Sequence, residues 1–192
     1  MSPARGLLIV ISGPSGVGKD TLIQRLRELD PSLQYSISCT TRKPRQGEVD
    51  AINYFFVSRE RFEDLIREGY FLEHAAYNGN YYGTPAAAVE KARAVGRDIL
   101  LKIEVQGAEQ VRKRAPDGLF IFIAPPSNEE LVRRQELRQG ADPKEDMAER
   151  RKIAETEMKL ASQYDFVVIN DDLERAAGEV LAIIRKARER QT

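Results

Sequence analysis

Cysteine is nearly absent. Cys39 is the only one in 192 residues, so neither an intrachain disulfide nor a cysteine-based metal site can form, and a reducing compartment fits. Net charge is missing too: 30 Lys and Arg are cancelled by 30 Asp and Glu. That balance excludes a basic footprint spread over the whole surface, so no nucleic-acid partner is expected, and anionic ligands must be met by local groups of Arg and Lys. Long apolar runs are lacking as well. Leu7–Ile11 is too short for a membrane span and shorter than a typical signal-peptide core, so a soluble, unprocessed, cytoplasmic chain with no membrane partner is expected. What is present is 42% hydrophobic residues, enough for one compact domain with a sizeable core and against disorder as the starting assumption.

Leu7-Leu8-Ile9-Val10-Ile11 is a continuous apolar run with branched residues, as in a strand covered on both faces. After a glycine-rich turn, Leu22, Ile23, Leu26 and Leu29 recur at helical spacing up to Asp30-Pro31. Ile99–Leu101, Leu119–Ile123 and Phe166–Ile169 are further short apolar runs separated by helical patterns, the alternation of an α/β fold with a parallel sheet. Two stretches break this rhythm. Residues of about 36–90 are rich in Arg, Gly, Asn and Tyr and carry strand-like pieces at Tyr54–Val57 and Phe71–Ala76, so an inserted α+β subdomain is expected there. Within it one helix is expected from the Ser58 cap to Gly69, and another with Thr84 as cap and Pro85 first. Residues of about 128–163 read as an Arg-rich helical hairpin, a candidate lid. Ser127 with Glu130 opens its first helix, and Asp142-Pro143 with Glu145 opens its second after Gly140. The remainder, about 1–35, 91–127 and 164–192, is the expected core.

Gly13-Pro14-Ser15-Gly16-Val17-Gly18-Lys19 lies between the first strand and the first helix. Glycines there let backbone N–H groups turn inward around phosphate oxygens, the helix N-terminus adds partial positive charge, and Lys19 reaches the distal phosphates. A glycine-rich turn with a chance lysine is the bland alternative, and the flanking strand and helix argue against it. The usual Ser or Thr after the lysine is Asp20 here, followed by Thr21. A carboxylate at that place suits a hard cation such as Mg²⁺, or simply favours the helix N-terminus. Arg42 and Arg45, near Thr40, Thr41 and Gly47, are spaced to fork onto one phosphate, although a basic loop alone is more often solvated. Ile99–Glu104 ends an apolar strand in an acid, either an ordinary strand-end charge or a carboxylate that helps organise Mg²⁺. For most of Arg133, Arg134, Arg138, Arg150 and Arg151 a salt-bridged helix surface is the better reading. His74, the single histidine, reads as a structural or ring-edge contact.

Together GPSGVGK (13–19), SCTTRKPRQGE (38–48), Tyr54, FLEHA (71–75), GNYYGT (79–84), IEVQG (103–107), IFIAPPS (121–127), Arg150–Met158 and NDD (170–172) resemble the guanylate kinase family, in its order and over nearly the whole chain. The resemblance implies a P-loop three-layer fold and an ATP:GMP phosphotransferase that uses Mg²⁺. It implies that Gly13 to Thr21, with Asn170 near adenine, bind ATP, and that Asp20 is a candidate metal ligand. Ser38, Glu73 and Thr84 would hold the guanine edge, Arg42, Arg45, Tyr54 and Tyr82 the GMP phosphate, and Glu104 would also line the GMP site. Lys19, Arg45, Arg138 and Arg150 would act on the transferring group. Lys102 stands where the family usually has an acid, and Glu104 replaces the usual aspartate. A non-catalytic module that binds phosphorylated peptides is the rival from another class; an intact phosphate loop with Lys19 argues against it. A kinase of another monophosphate is the second rival, opposed by Glu73 and Ser38.

Overall fold

The computed structural model describes residues 4–139, 152 and 155–190. Five strands form one wholly parallel sheet in the order β2 (Gln34–Tyr35), β7 (Ile99–Lys102), β1 (Leu8–Ser12), β8 (Leu119–Ala124) and β9 (Phe166–Ile169). β1 sits at the centre, with Leu8 opposite Ile99 and Val10 opposite Phe120. Its side chains alternate between faces, as a period of two requires. Ile9 and Ile11 pack with Leu22, Leu26 and Val180 from α1 (Lys19–Leu29) and α6 (Leu173–Glu189). Leu8 and Val10 pack with Val89 and Val111 from α3 (Ala86–Ala94) and α4 (Val105–Arg114). Helices therefore cover both faces, which is why the β1 run is apolar throughout rather than alternating.

A second sheet of four strands, in the order β4 (Phe55–Phe56), β3 (Cys39–Thr40), β6 (Asn80–Pro85) and β5 (Phe71–Tyr77), stands beside the first. β5 and β6 form an antiparallel hairpin turned at Asn78 and Gly79, both at positive φ. The Asn-Gly pair tolerates that backbone better than other residues. α2 (Arg59–Arg67) covers this sheet, with Phe62 and Phe71 stacked at 4.6 Å. Ser58 caps α2 by accepting the Arg61 N–H at 3.1 Å. α5 (Asn128–Gln139) follows β8, and its start is capped by Ser127 Oγ, which accepts the Glu130 N–H at 3.1 Å.

One local expectation is corrected. Thr84 does not cap α3: it lies in β6, Pro85 takes the cap position, and the helix starts at Ala86. The Thr84 hydroxyl donates instead to the buried Glu73 carboxyl at 2.6 Å, a stronger bond than the one its oxygen would accept from a helix-end N–H. α1 ends at Leu29 with Asp30 as its cap, where the apolar spacing up to Asp30-Pro31 put its end. The expected helix start at Asp142-Pro143 lies outside the described residues.

Candidate active site

The carboxyl ends of β1, β7 and β8 converge on the glycine loop, the edge where open α/β sheets bind ligands. A larger depression of about 450 Å³, lined by Gly6, Asp98 and Arg188, lies at the opposite ends of the strands, remote from that chemistry.

Gly13, Gly16 and Gly18 all have φ in the positive range, at 147°, 91° and 98°. The loop is closed from behind as well as by its own turns. A Cβ on Gly13 would stand 2.2 Å from the Ile123 carbonyl oxygen, and one on Gly18 2.6 Å from Asn170 Nδ2. Lys19 Nζ donates to the carbonyls of Gly13 and Pro14. Three side chains brace the loop backbone. Asn170 Nδ2 donates to Val17 O at 2.8 Å, Gln135 Nε2 to Ser15 O at 2.8 Å, and Arg134 Nη1 to Val17 O at 3.3 Å and Asn170 O at 3.0 Å. Asn170 thus acts on the loop itself, beneath Gly18.

From the second sheet, Arg42, Arg45, Tyr54 and Tyr82 join Ser15, Gly16, Gly18, Lys19, Asp20 and Glu104 around a cavity of about 80 Å³. Arg42 is held as a planar fork: Nη1 and Nη2 donate to the two Glu48 oxygens at 2.9 and 2.8 Å, and Glu48 also accepts the Arg45 N–H at 2.7 Å. The guanidinium lies 5.5 Å from the Tyr54 ring, and Tyr54 meets Tyr82 edge-on at 6.1 Å. A guanidinium anchored like that of Arg42 loses little further freedom on meeting an anion. Thr21, exposed in the first turn of α1, does not line this cavity.

Ser38, Glu73, Ala75 and Ile103 line a recess continuous with that cavity, since Tyr54, Tyr82, Lys102 and Glu104 border both. Glu73 is 3% exposed and accepts from Thr84, and its other oxygen faces Gly107, where a Cβ would stand only 2.2 Å away. Burial pushes the Glu73 carboxyl up to about 7, with the Thr84 hydrogen bond opposing and the nearby Glu104 charge reinforcing. Glu104 sits at the cap position of α4, two residues past the end of β7, with a buried Oε2 that has no hydrogen-bond partner. Glu157, buried behind Glu104, is raised to about 8, first by burial and then by the Glu104 charge.

The structure thus gathers the loop residues Gly13 to Asp20 with Ser38, Arg42, Arg45, Tyr54, Glu73, Tyr82, Thr84, Glu104 and Asn170. Arg138 falls in the last turn of α5, and its side chain, like all of Arg150, lies outside the described residues. Asp20 forms an ion pair with Lys102 Nζ, so it is more than a helix-end charge. Arg133 pairs with Glu130 on the surface, as a salt-bridged helix would, whereas Arg134 does so and also reaches the loop. Glu48, Gly107, Arg134, Gln135 and Glu157 are the site residues sequence reasoning misses. Glu48, Gly107 and Glu157 do stand inside the recognisable SCTTRKPRQGE, IEVQG and Arg150–Met158 stretches, the signal that could have found them.

A glycine loop cradled at the carboxyl edge of a parallel sheet, facing a cationic cavity and a buried carboxylate, defines a P-loop enzyme of the nucleotide kinase class. Residues 5–187 match the family model described as guanylate kinase. A guanylate kinase of Halalkalibacterium halodurans is 50% identical over 184 residues, 96% of this chain and 90% of that protein. One from Lactococcus lactis is 50% identical over 180 residues, 94% and 87% of the two chains. The crystal structure of guanylate kinase from Anaplasma phagocytophilum superposes with a TM-score of 0.81 at 35% identity, covering 97% of this chain and 88% of that one. A gluconokinase structure from Sinorhizobium meliloti, at 16% identity and TM-score 0.51, shares the fold alone. The chain belongs to the guanylate kinase family.

Proposed function

We propose that this chain transfers the γ-phosphoryl group of ATP to GMP, giving ADP and GDP. The observation that carries the reading is Glu73: a buried carboxylate paired with Thr84, one recess away from a phosphate loop. Guanine presents N1–H and N2–H donors that a carboxylate accepts as a matched pair. Adenine presents an acceptor at N1, which would leave Glu73 unpaired and repelled in a closed site. Ser38 adds a hydroxyl to the same recess, and Arg42, Arg45, Tyr54 and Tyr82 provide for the acceptor phosphate. On this reading residues 36–90 are the acceptor-binding subdomain and 128–163 the lid, with Arg138 and Arg150 over the transferring group.

Phosphoryl transfer asks the protein mainly for positioning and charge neutralisation. The loop amides and Lys19 would hold the donor phosphates, while the bracing by Asn170, Gln135 and Arg134 keeps those amides turned inward. Arg45, bordering the same cavity as Lys19, would span donor and acceptor. The wall also fits Mg²⁺, because Glu104 keeps one buried oxygen without a partner and kinases hold this ion with one or two carboxylates plus substrate oxygens. Among the described residues no group of three or more acidic, histidine or cysteine side chains forms a cage. Glu104 would therefore be the carboxylate ligand, the expected ligand Asp20 being committed to Lys102, and the ion would supply neutralisation of phosphate charge. ATP, GMP and Mg²⁺ are the partners of this reading, and its compartment is the cytoplasm. Among the described residues no helix is long and apolar enough to cross a membrane. ADP release measured with GMP, AMP, UMP and CMP in turn tests the reaction. GMP should be turned over far faster than the rest, and equal turnover of AMP would sink the assignment.

A further inference from the structure

We infer that Lys102, held by Asp20, is a binding residue for the acceptor phosphate, a cation supplied from the end of β7 rather than from the glycine loop. The inference rests on the GMP reading above. Lys102 lies at the junction of three spaces. It borders the loop cavity with Lys19, Arg42 and Arg45, the recess with Ser38 and Glu73, and the outer groove with Gln24 and Arg27. A group that meets both the loop cavity and the base recess stands where a monophosphate must pass from base to transferring centre. Lys19 serves the donor side of the same cavity.

The contacts of the ammonium show how it is aimed. Its side chain is only 13% exposed, whereas its partner Asp20 is 59% exposed. One N–H goes to Asp20, and the Tyr54 ring lies 5.1 Å away. An ammonium has three donors, so N–H groups beyond the Asp20 bond are left for an acceptor in the cavity. A purely structural pair is a weak explanation. Burying a lysine against a solvent-screened carboxylate adds little stability, and setting it with Lys19, Arg42 and Arg45 leaves four cations against the two carboxylates Asp20 and Glu104 around about 80 Å³. That arrangement is favourable once a phosphate enters. Asp20 then has a clear part, holding the long lysine side chain in one rotamer so that less freedom is lost on binding.

Calorimetric binding of GMP and of guanosine to the full chain and its variants tests this. In Lys102→Met, GMP affinity should fall about ten- to a hundredfold, the size of a lost charge-assisted hydrogen bond, while guanosine affinity changes by less than about twofold. Lys102→Arg should recover most of the loss, which a folding defect would not do. The double variant Asp20→Asn with Lys102→Met should stay weak for GMP. If it returns to the parent affinity, Lys102 merely neutralises Asp20 and the inference is overturned. It is equally overturned if Lys102→Met binds GMP as the parent does, or loses guanosine in proportion. Failure of the GMP reading looks different, because the unmodified chain would then bind GMP no better than AMP.

Discussion

Glu73 must be ionised to accept two N–H groups from guanine, yet its carboxyl titrates near 7 in the folded chain, against 4.5 ordinarily. Guanine binding should therefore be linked to proton release. Guanosine is the right ligand, because the GMP phosphate itself titrates near pH 6. Between about pH 8 and about pH 5.5 the ionised fraction of Glu73 falls about thirtyfold, and guanosine affinity should fall with it. At about pH 7, roughly half a proton should leave per guanosine bound, read by calorimetry in two buffers of different ionisation enthalpy. Glu73→Gln should bind weakly at every pH and release none. The same carboxyl sets a stability trend of known sign. Its folded value is raised, so its contribution to stability is fully present below about 4.5 and is lost as pH rises through about 7. Without ligand, Glu73→Gln should gain on the parent by up to about 3 kcal/mol between about pH 5 and about pH 8, measured by urea unfolding. A flat guanosine affinity over this range, with no proton released, would refute the reasoning.

Arg42→Lys should raise the KM for GMP about tenfold and leave guanosine affinity unchanged, because a point charge cannot keep the fork that Glu48 holds; steady-state and binding measurements together check this. Gly107→Ala should displace the Glu73 carboxylate, since the new Cβ would fall 2.2 Å from Oε2, and guanosine binding should drop while ATP binding persists. Gln135→Leu should weaken ATP binding severalfold with little effect on guanosine, as it removes the 2.8 Å bond to Ser15 O; nucleotide titrations separate the two sites.

Legibility in the sequence followed the range of the interaction. β1 is offset from its apolar run by a single residue, because burial on both faces writes itself into consecutive positions, and the edge strand β9 keeps the bounds of the run Phe166–Ile169 although only Val168 is buried. The glycine loop is equally local. Thr84-Pro85 misleads as a helix start because its hydroxyl answers to Glu73 across a hairpin, which neighbouring residues cannot reveal. The Lys102–Asp20 pair spans 82 positions, and Gln135 reaches Ser15 across 120. Such partners carry no periodic or spacing signature, so the bracing of the loop and the setting of Asp20 show only in the folded chain.

The central place of β1 also governs how the molecule comes into being. Both of its neighbours, β7 and β8, are about ninety residues or more further along the chain, and closing such a loop rather than a ten-residue one costs about 2 kcal/mol more before any pairing repays it. During synthesis the first strand must wait, unpaired and apolar, until most of the polypeptide has left the ribosome. The glycine loop hangs directly from that strand, so phosphate binding should be among the last properties a nascent chain acquires, and it reports that folding has finished.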